Sequence, residues 1–191
     1  MTESPIIDIN LLPLTSYSGN IVLINSPSQV ESIYKQLCTA TVLGFDTESR
    51  PAFKKGVIRK ISLLQLYDGK NAYLFRLKNM GFDQRIKSLM ENPDIVKAGV
   101  AVHEDISLLS KADNFKPSGF IDLQTEAKKL NITEMSAKKL TAGLLGFRIS
   151  KSQQTSNWDN SVLTKSQIAY AATDAWICYL LYFKMKEMQK G

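Results

Sequence analysis

LGFDTES, residues 43–49, is the stretch whose reading decides the fold. Leu43, Gly44 and Phe45 read as the interior of an apolar strand, and Asp46 and Glu48 follow two residues apart. Residues i and i+2 of a strand project from the same face. A strand in a sheet core does not ordinarily aim two carboxylates one way, because burying unpaired charges costs several kcal/mol each. Two readings follow. Either a divalent cation neutralises the pair, in which case oxygen ligands select Mg²⁺ or Mn²⁺, or the strand is ending there and both acids are solvated.

Strand-like and helical segments surround this stretch. IVLIN (residues 21–25) is apolar and β-branched, and residues 29–38 read as a helix capped from Ser26 and Ser28. TVLGFDTE (41–48) is then a central strand. KISLLQLYD (60–68) and NAYLFRL (71–77) are two strands joined by a turn at Asp68-Gly69-Lys70. FDQRIKSLM (82–90) has helical spacing, IVKAGVAV (95–102) reads as a further strand, and HEDISLLSKA (103–112) opens a helix. From Ile121 the chain turns helical over 122–130, 136–145 and 164–189, the last apolar on one face with Thr164 as N-cap. This order predicts an α/β fold with a mixed sheet.

Bulk properties narrow the class. The 191 residues suffice for one domain, expected over 1–191, and no repeat, low-complexity block or linker divides them. No apolar run approaches the ~18 residues of a membrane span. The N-terminus has no basic segment leading into an apolar one, so a cytoplasmic protein without a membrane partner is expected. Cys38 and Cys178 are expected to be reduced and buried, and with His103 the only histidine, a His-rich zinc site is excluded. The net charge of +6 suits a polyanionic partner, although many domains so charged bind none.

Three further acids and hydroxyls stand out. Asp105 follows a strand by three residues, where ligands collect in open α/β sheets, and it equally suits a helix N-terminus. Tyr170 and Asp174 are i and i+4 on the long last helix and share a face, among the small Ala171, Ala172 and Ala175. The alternatives are a substrate-facing pair and a surface aspartate beside a half-buried tyrosine.

Taken in order, these residues resemble the tyrosine-bearing branch of the DEDD 3′→5′ exonuclease superfamily, the branch of ribonuclease D and Werner-type exonuclease domains. Phe45-Asp46-Thr47-Glu48 matches the first motif. The second runs from Lys97-Ala98-Gly99-Val100 to Asp105-Ile106-Ser107-Leu108-Leu109, and Tyr170-Ala171-Ala172-Thr173-Asp174-Ala175 matches the third. Ile61-Ser62-Leu63-Leu64-Gln65-Leu66, Ser156-Asn157-Trp158, Leu163-Thr164 and Gln167 resemble the family's flanking text. The likeness spans about residues 21–182.

The resemblance implies a ribonuclease H-like fold, a mixed sheet of five to six strands flanked by helices. It implies a nuclease that uses two Mg²⁺ or Mn²⁺ ions to release nucleoside 5′-monophosphates from a free 3′ end. Asp46 would bridge both ions, Glu48 and Asp174 would complete the site of the water-activating ion, and Asp105 would hold the second, largely through its water shell. Tyr170 would orient the attacking water. The Werner-like flanking text favours DNA, with RNA open.

Candidate substrate contacts are read less sharply. Thr47 lies between the two acids. Arg50, Phe53, Lys54, Lys55, Arg59 and Lys60 form a basic, aromatic-bearing stretch that either grips phosphates and stacks on a base or is a solvated hairpin edge. Arg148, Lys151, Asn157 and Trp158 precede the third motif and border the expected groove, with Trp158 equally suited to capping the core. His103 either touches a phosphate or closes the strand–helix turn. Rival functions are a catalytically weak nucleic-acid-binding module and another ribonuclease H-like nuclease that cuts internally. No protein partner is indicated.

Overall fold

The computed structural model describes residues 8–51 and 60–190. Among these residues six strands form one sheet: β1 (Asn20–Ile24), β2 (Val42–Ser49), β3 (Ile61–Tyr67), β4 (Asn71–Phe75), β5 (Val96–Gly99) and β6 (Phe120–Asp122). Their spatial order is β1-β4-β3-β2-β5-β6. The β2–β3 and β3–β4 pairs are antiparallel, whereas β1–β4, β2–β5 and β5–β6 are parallel. This is the mixed α/β sheet expected. The turn at Asp68-Gly69-Lys70 closes β3 onto β4, with Gly69 at φ +94° and Asp68 Oδ1 accepting from the backbone N–H of Lys70 and Asn71.

Alternation along the strands divides the core between the two faces. Leu43 and Phe45 of β2, Leu64 and Leu66 of β3, and Tyr73 and Phe75 of β4 pack on one side against α1 (Pro27–Leu37), α3 (Gln84–Glu91) and α4 (Val102–Ala112). A short helix α2 (Leu77–Met80) adds Leu77 to that core. The opposite parity, Gly44, Asp46 and Glu48 of β2 with Leu63 of β3 and Leu74 of β4, belongs to the other face, which α7 (Lys165–Met188) covers. Helices α5 (Leu123–Lys129) and α6 (Ala137–Leu145) pack on α7 from outside through Leu123, Ala127 and Leu140.

Helix α7 departs from the one-faced helix expected. Every residue from Tyr170 to Ala175 is buried, because the sheet lies on one side and other chain segments on the others. Its start is as expected: Thr164 Oγ1 accepts from the Gln167 N–H, and the Gln167 side chain accepts in return from the Thr164 N–H. Strand β6 stands where the sequence predicts the chain to turn helical from Ile121 on. Asp122, the last residue of β6, instead accepts from the N–H groups of Gln124 and Thr125 at the start of α5 and of Val102 at the start of α4. One carboxylate thereby serves two helix N-termini.

Cysteine burial is also corrected in part. Cys178 is buried and free, whereas Cys38, the residue just past α1, is free and exposed.

Candidate active site

Asp46, Glu48 and Asp174 converge, each offering a carboxylate oxygen within 4.8 Å of the others. Two local features bring them together. The period-2 geometry of β2 aims Asp46 and Glu48 toward α7. Gly44, on the same face, lets α7 approach, since a Cβ there would stand 2.0 Å from the carbonyl oxygen of Ala175. The helix can come this close only where the strand has no side chain.

The trio lines an open cavity of about 340 Å³ together with Thr47, Lys151 and Tyr170. Glu48 and Asp174 are buried and Asp46 half-buried. Burial, then the charges of Asp174 and Asp105, holds the Asp46 carboxyl well above the usual carboxylate range. Burial and the same neighbourhood push Glu48 up to about 10. Burial also raises Asp174, against the pull of Lys151. The Tyr170 phenol is raised by burial and by Asp174 beside it, so it is not a base at neutral pH.

Lys151 is the cationic member of this group. Its Nζ lies 3.0 Å from both carboxylate oxygens of Asp174 and 3.3 Å from the Tyr170 hydroxyl, and it stands 5.1 Å from the centre of the Tyr170 ring. Burial lowers the affinity of this amine for its proton, but Asp174 and Asp46 outweigh that and hold it above the usual lysine value. The sequence predicts Lys151 at the border of a substrate groove, whereas the structure places its ammonium among the acids.

Asp105 is not part of the trio. It comes from the first turn of α4, on the far face of the sheet, and its Oδ1 accepts a hydrogen bond from Thr47 Oγ1. Its charge nevertheless reaches Asp46 and Glu48 and raises both. Thr47 is thus a link between β2 and α4.

The remaining candidates lie elsewhere. Trp158 is 0% exposed and packs with Leu63, Leu74, Leu163, Tyr170 and Ala171, its ring centre 6.0 Å from that of Tyr170. A substrate contact through Trp158 is therefore corrected to a core role: the indole fills the space under α7 and backs the tyrosine. Asn157 is exposed in a turn, where its Oδ1 accepts from the Asp159 N–H. His103 is exposed on α4, with Nε2 4.0 Å from Asp122 Oδ2. Arg50 is exposed just beyond β2. None of these three lines the cavity. Phe53, Lys54, Lys55 and Arg59 lie outside the described residues.

The cavity also has members that the sequence did not signal. Ser136, Ala137 and Lys138 at the start of α6, Gln154, and Cys178 one turn beyond Asp174 all line it. The sequence predicts a helix over 136–145 there, and nothing in it indicates which cavity that helix faces.

The donor set fits a hard divalent cation. All three clustered ligand groups are carboxylates, burial raises their proton affinity with repulsion adding to it at Asp46 and Glu48, and a cation already sits among them in the form of Lys151. No described helix is long and apolar enough to cross a membrane.

Comparison with known proteins agrees with this geometry. The 3′-5′ exonuclease family model matches residues 21–190. The mouse bifunctional 3′-5′ exonuclease/ATP-dependent helicase WRN is 35% identical over 184 residues, covering 91% of this chain and 13% of the mouse protein. Ribonuclease D of a Shewanella strain is 26% identical over 169 residues, covering 88% of this chain and 43% of that protein. This chain therefore spans less than half the length of these relatives. Among solved structures, the Aedes aegypti Nibbler EXO domain superposes with a TM-score of 0.84 at 22% identity, over 92% of this chain and 93% of that one. Escherichia coli RNase D superposes with a TM-score of 0.77 at 22% identity, over 89% and 46%. These likenesses place the fold among ribonuclease H-like exonuclease domains.

Proposed function

The chain belongs to the 3′-5′ exonuclease family, and from that membership we propose that it is a divalent-metal-dependent exonuclease that removes nucleoside 5′-monophosphates from the 3′ end of a nucleic acid. The observation that carries the proposal is the convergence of Asp46, Glu48 and Asp174 on a cavity shared with Tyr170. DNA is the favoured substrate, supported by the Werner-like flanking text at Ser156-Asn157-Trp158, Leu163-Thr164 and Gln167.

Mg²⁺ or Mn²⁺ ions in such a site supply an activated water and stabilise the departing oxyanion. Each side chain then has a distinct part. Asp46, whose carboxyl feels the charges of both Asp174 and Asp105, would be a ligand common to two ions; Glu48 and Asp174 would hold the water-activating ion with it, and Asp105, which accepts from Thr47, would serve the second. The Tyr170 hydroxyl, beside Asp174 and backed by Trp158, orients the attacking water by hydrogen bonding, and its raised proton affinity keeps it a neutral donor.

The test is a gel time course on 5′-labelled single-stranded DNA, 3′-recessed duplex DNA and RNA, each with Mg²⁺, Mn²⁺ or EDTA, with D46A protein as control. A metal-dependent ladder shortening from the 3′ end, absent with D46A, is the expected result. Internal cuts would instead indicate an endonuclease. Binding without cleavage under either metal would leave only a nucleic-acid-binding module.

A further inference from the structure

The carboxylate cluster carries its own cation, and the way that cation is mounted has a functional consequence. The segment leading to Lys151 is fixed at three successive residues. The Phe147 ring stacks on Trp176 of α7, with centroids 5.5 Å apart and planes 17° from parallel. The Arg148 N–H donates to the Pro13 carbonyl and its own carbonyl accepts from the Thr15 N–H, both at 2.9 Å, while its Nε donates to the Leu12 carbonyl. Ile149 is buried. Beyond this anchor, Ser150 and Ser152 are exposed and Lys151 reaches inward on its four-carbon stem. The backbone is held while the side chain alone spans to the acids, so the ammonium can leave without the fold moving.

What the ammonium occupies is specific. It touches both oxygens of Asp174 and the hydroxyl of Tyr170, the two groups that the proposed chemistry needs for the water-activating ion and for the water. Oxygens that face an ammonium at 3.0 Å cannot also coordinate a divalent ion at ~2.1 Å without two like charges in near contact. The geometry points to Lys151 as a resident counterion that keeps the metal-free site assembled and competes directly with the divalent ion for Asp174. This rests on the reading of the cluster as a metal site. Lys151 is thus a positioning residue of the metal-free protein, and metal loading is an exchange in which its ammonium swings off Asp174 into the cavity.

Two measurements on the full chain test the exchange without reading nuclease activity. The first is Mn²⁺ affinity, from the free Mn²⁺ signal in electron paramagnetic resonance. K151Q is expected to bind about tenfold more tightly than wild type, the factor that ~1.4 kcal/mol of relieved competition produces. K138Q, which removes the same charge from the cavity rim, is expected to change the affinity by no more than about twofold. The second uses wild-type protein only, so it survives a failure of the variant to fold. Acetylation of Lys151 by an amine-reactive ester, followed by peptide mass spectrometry, is expected to run several-fold faster with Mg²⁺ than with EDTA. Equal or weaker Mn²⁺ binding by K151Q, an equal effect of K138Q, or acetylation no faster with Mg²⁺ overturns the exchange. Loss is distinguishable one level down: wild type that binds Mn²⁺ no better than D46A removes the metal site itself, and the exchange with it.

Discussion

Replacing Gly44 by alanine tests whether the contact between β2 and α7 is what assembles the acids. A methyl group there would lie 2.0 Å from the Ala175 carbonyl oxygen and 3.0 Å from Cβ and N of Tyr179, where ordinary contact begins at 3.4 Å. The obstruction is backbone, so no rotamer relieves it. Strand and helix must separate by about 1.4 Å, the difference between 3.4 and 2.0 Å. Ala175 is the neighbour of Asp174, and Gly44 is two residues from Asp46, so the separation falls directly between the two carboxylates. Their ligand oxygens lie within 4.8 Å of one another. An ion with ~2.1 Å bonds bridges at most about 4.2 Å between opposite donors, so oxygens near that limit have no slack to absorb a further separation.

The expected stability loss is ~1–3 kcal/mol, the usual cost of overpacking, or a melting temperature lower by about 3–10 °C for a chain of this size. Mn²⁺ affinity should fall about tenfold or more, and the exonuclease rate about 100-fold, as for misplacement of a catalytic group by ~1 Å. Gly143, inside α6 with nothing within 4 Å of an added methyl group, is the matched control. G143A should gain up to ~1 kcal/mol of stability from helix propensity and keep wild-type activity. Melting curves, Mn²⁺ titration and the gel assay are read on the same preparations. A folded G44A protein with wild-type Mn²⁺ affinity and a rate within about twofold of wild type refutes the reasoning, because the close approach would then not set the distance from Asp46 to Asp174.

Three other outcomes follow from the same structure. Y170F should retain Mn²⁺ binding and lose roughly 10–100-fold in rate, measured in single turnover; an unchanged rate removes the water-orienting role. Mn²⁺ loading at pH 7 should release protons, since burial pushes the Glu48 carboxyl up to about 10, and calorimetry in buffers of different ionisation enthalpy should show a buffer-dependent heat; its absence refutes the raised Glu48. Lys97 is lowered to about 8 by burial, so between pH 8 and its usual 10.5 the unfolded chain holds the extra proton and stability rises with pH. Relative to K97M, wild type should gain up to roughly 3 kcal/mol across that window in denaturant titrations, and parallel curves for the two proteins would show that Lys97 is not desolvated.

Legibility differed by the kind of signal. Periodicity reported faces well: the same-face placement of Asp46 and Glu48 and of Tyr170 and Asp174 needs only the geometry of one element, and the structure has both. Local turn and cap chemistry was equally readable at Asp68-Gly69-Lys70 and at Thr164. Strand β6 was not, because three residues carry no period and its parallel pairing with β5 depends on a partner 23 positions away in register, Lys97 opposite Phe120. The all-round burial of α7 depends on what packs outside it, which a helical pattern does not report. Trp158 was ambiguous for the same reason: an indole before a motif is compatible with a groove or a core, and only the packing of Leu63, Leu74 and Leu163 around it decides.

Buried charge, the signal that first drew notice to Asp46, is not by itself a mark of function, and Lys97 shows why. Lys97 is as buried as any residue in the chain, yet its Nζ donates to the carbonyls of Asn92 at 2.7 Å and Leu89 at 3.4 Å, at the C-terminal end of α3. Those acceptors are backbone, they carry the negative end of a helix dipole, and they cannot leave. The ammonium also faces the Phe120 ring at 5.3 Å. Its partners are fixed backbone groups, and although burial still lowers its proton affinity, Lys97 serves the fold. Asp46, Glu48 and Asp174 are answered differently. Asp46 has a backbone hydrogen bond from Thr47, but burial, joined at Asp46 and Glu48 by repulsion from the other acids, still raises their proton affinity, and the cation among them arrives on one long side chain from a separate segment. A fold that needed those charges only for stability would have fixed their partner as it fixed that of Lys97. Leaving the partner exchangeable is what a site requires if a stronger cation is to take its place.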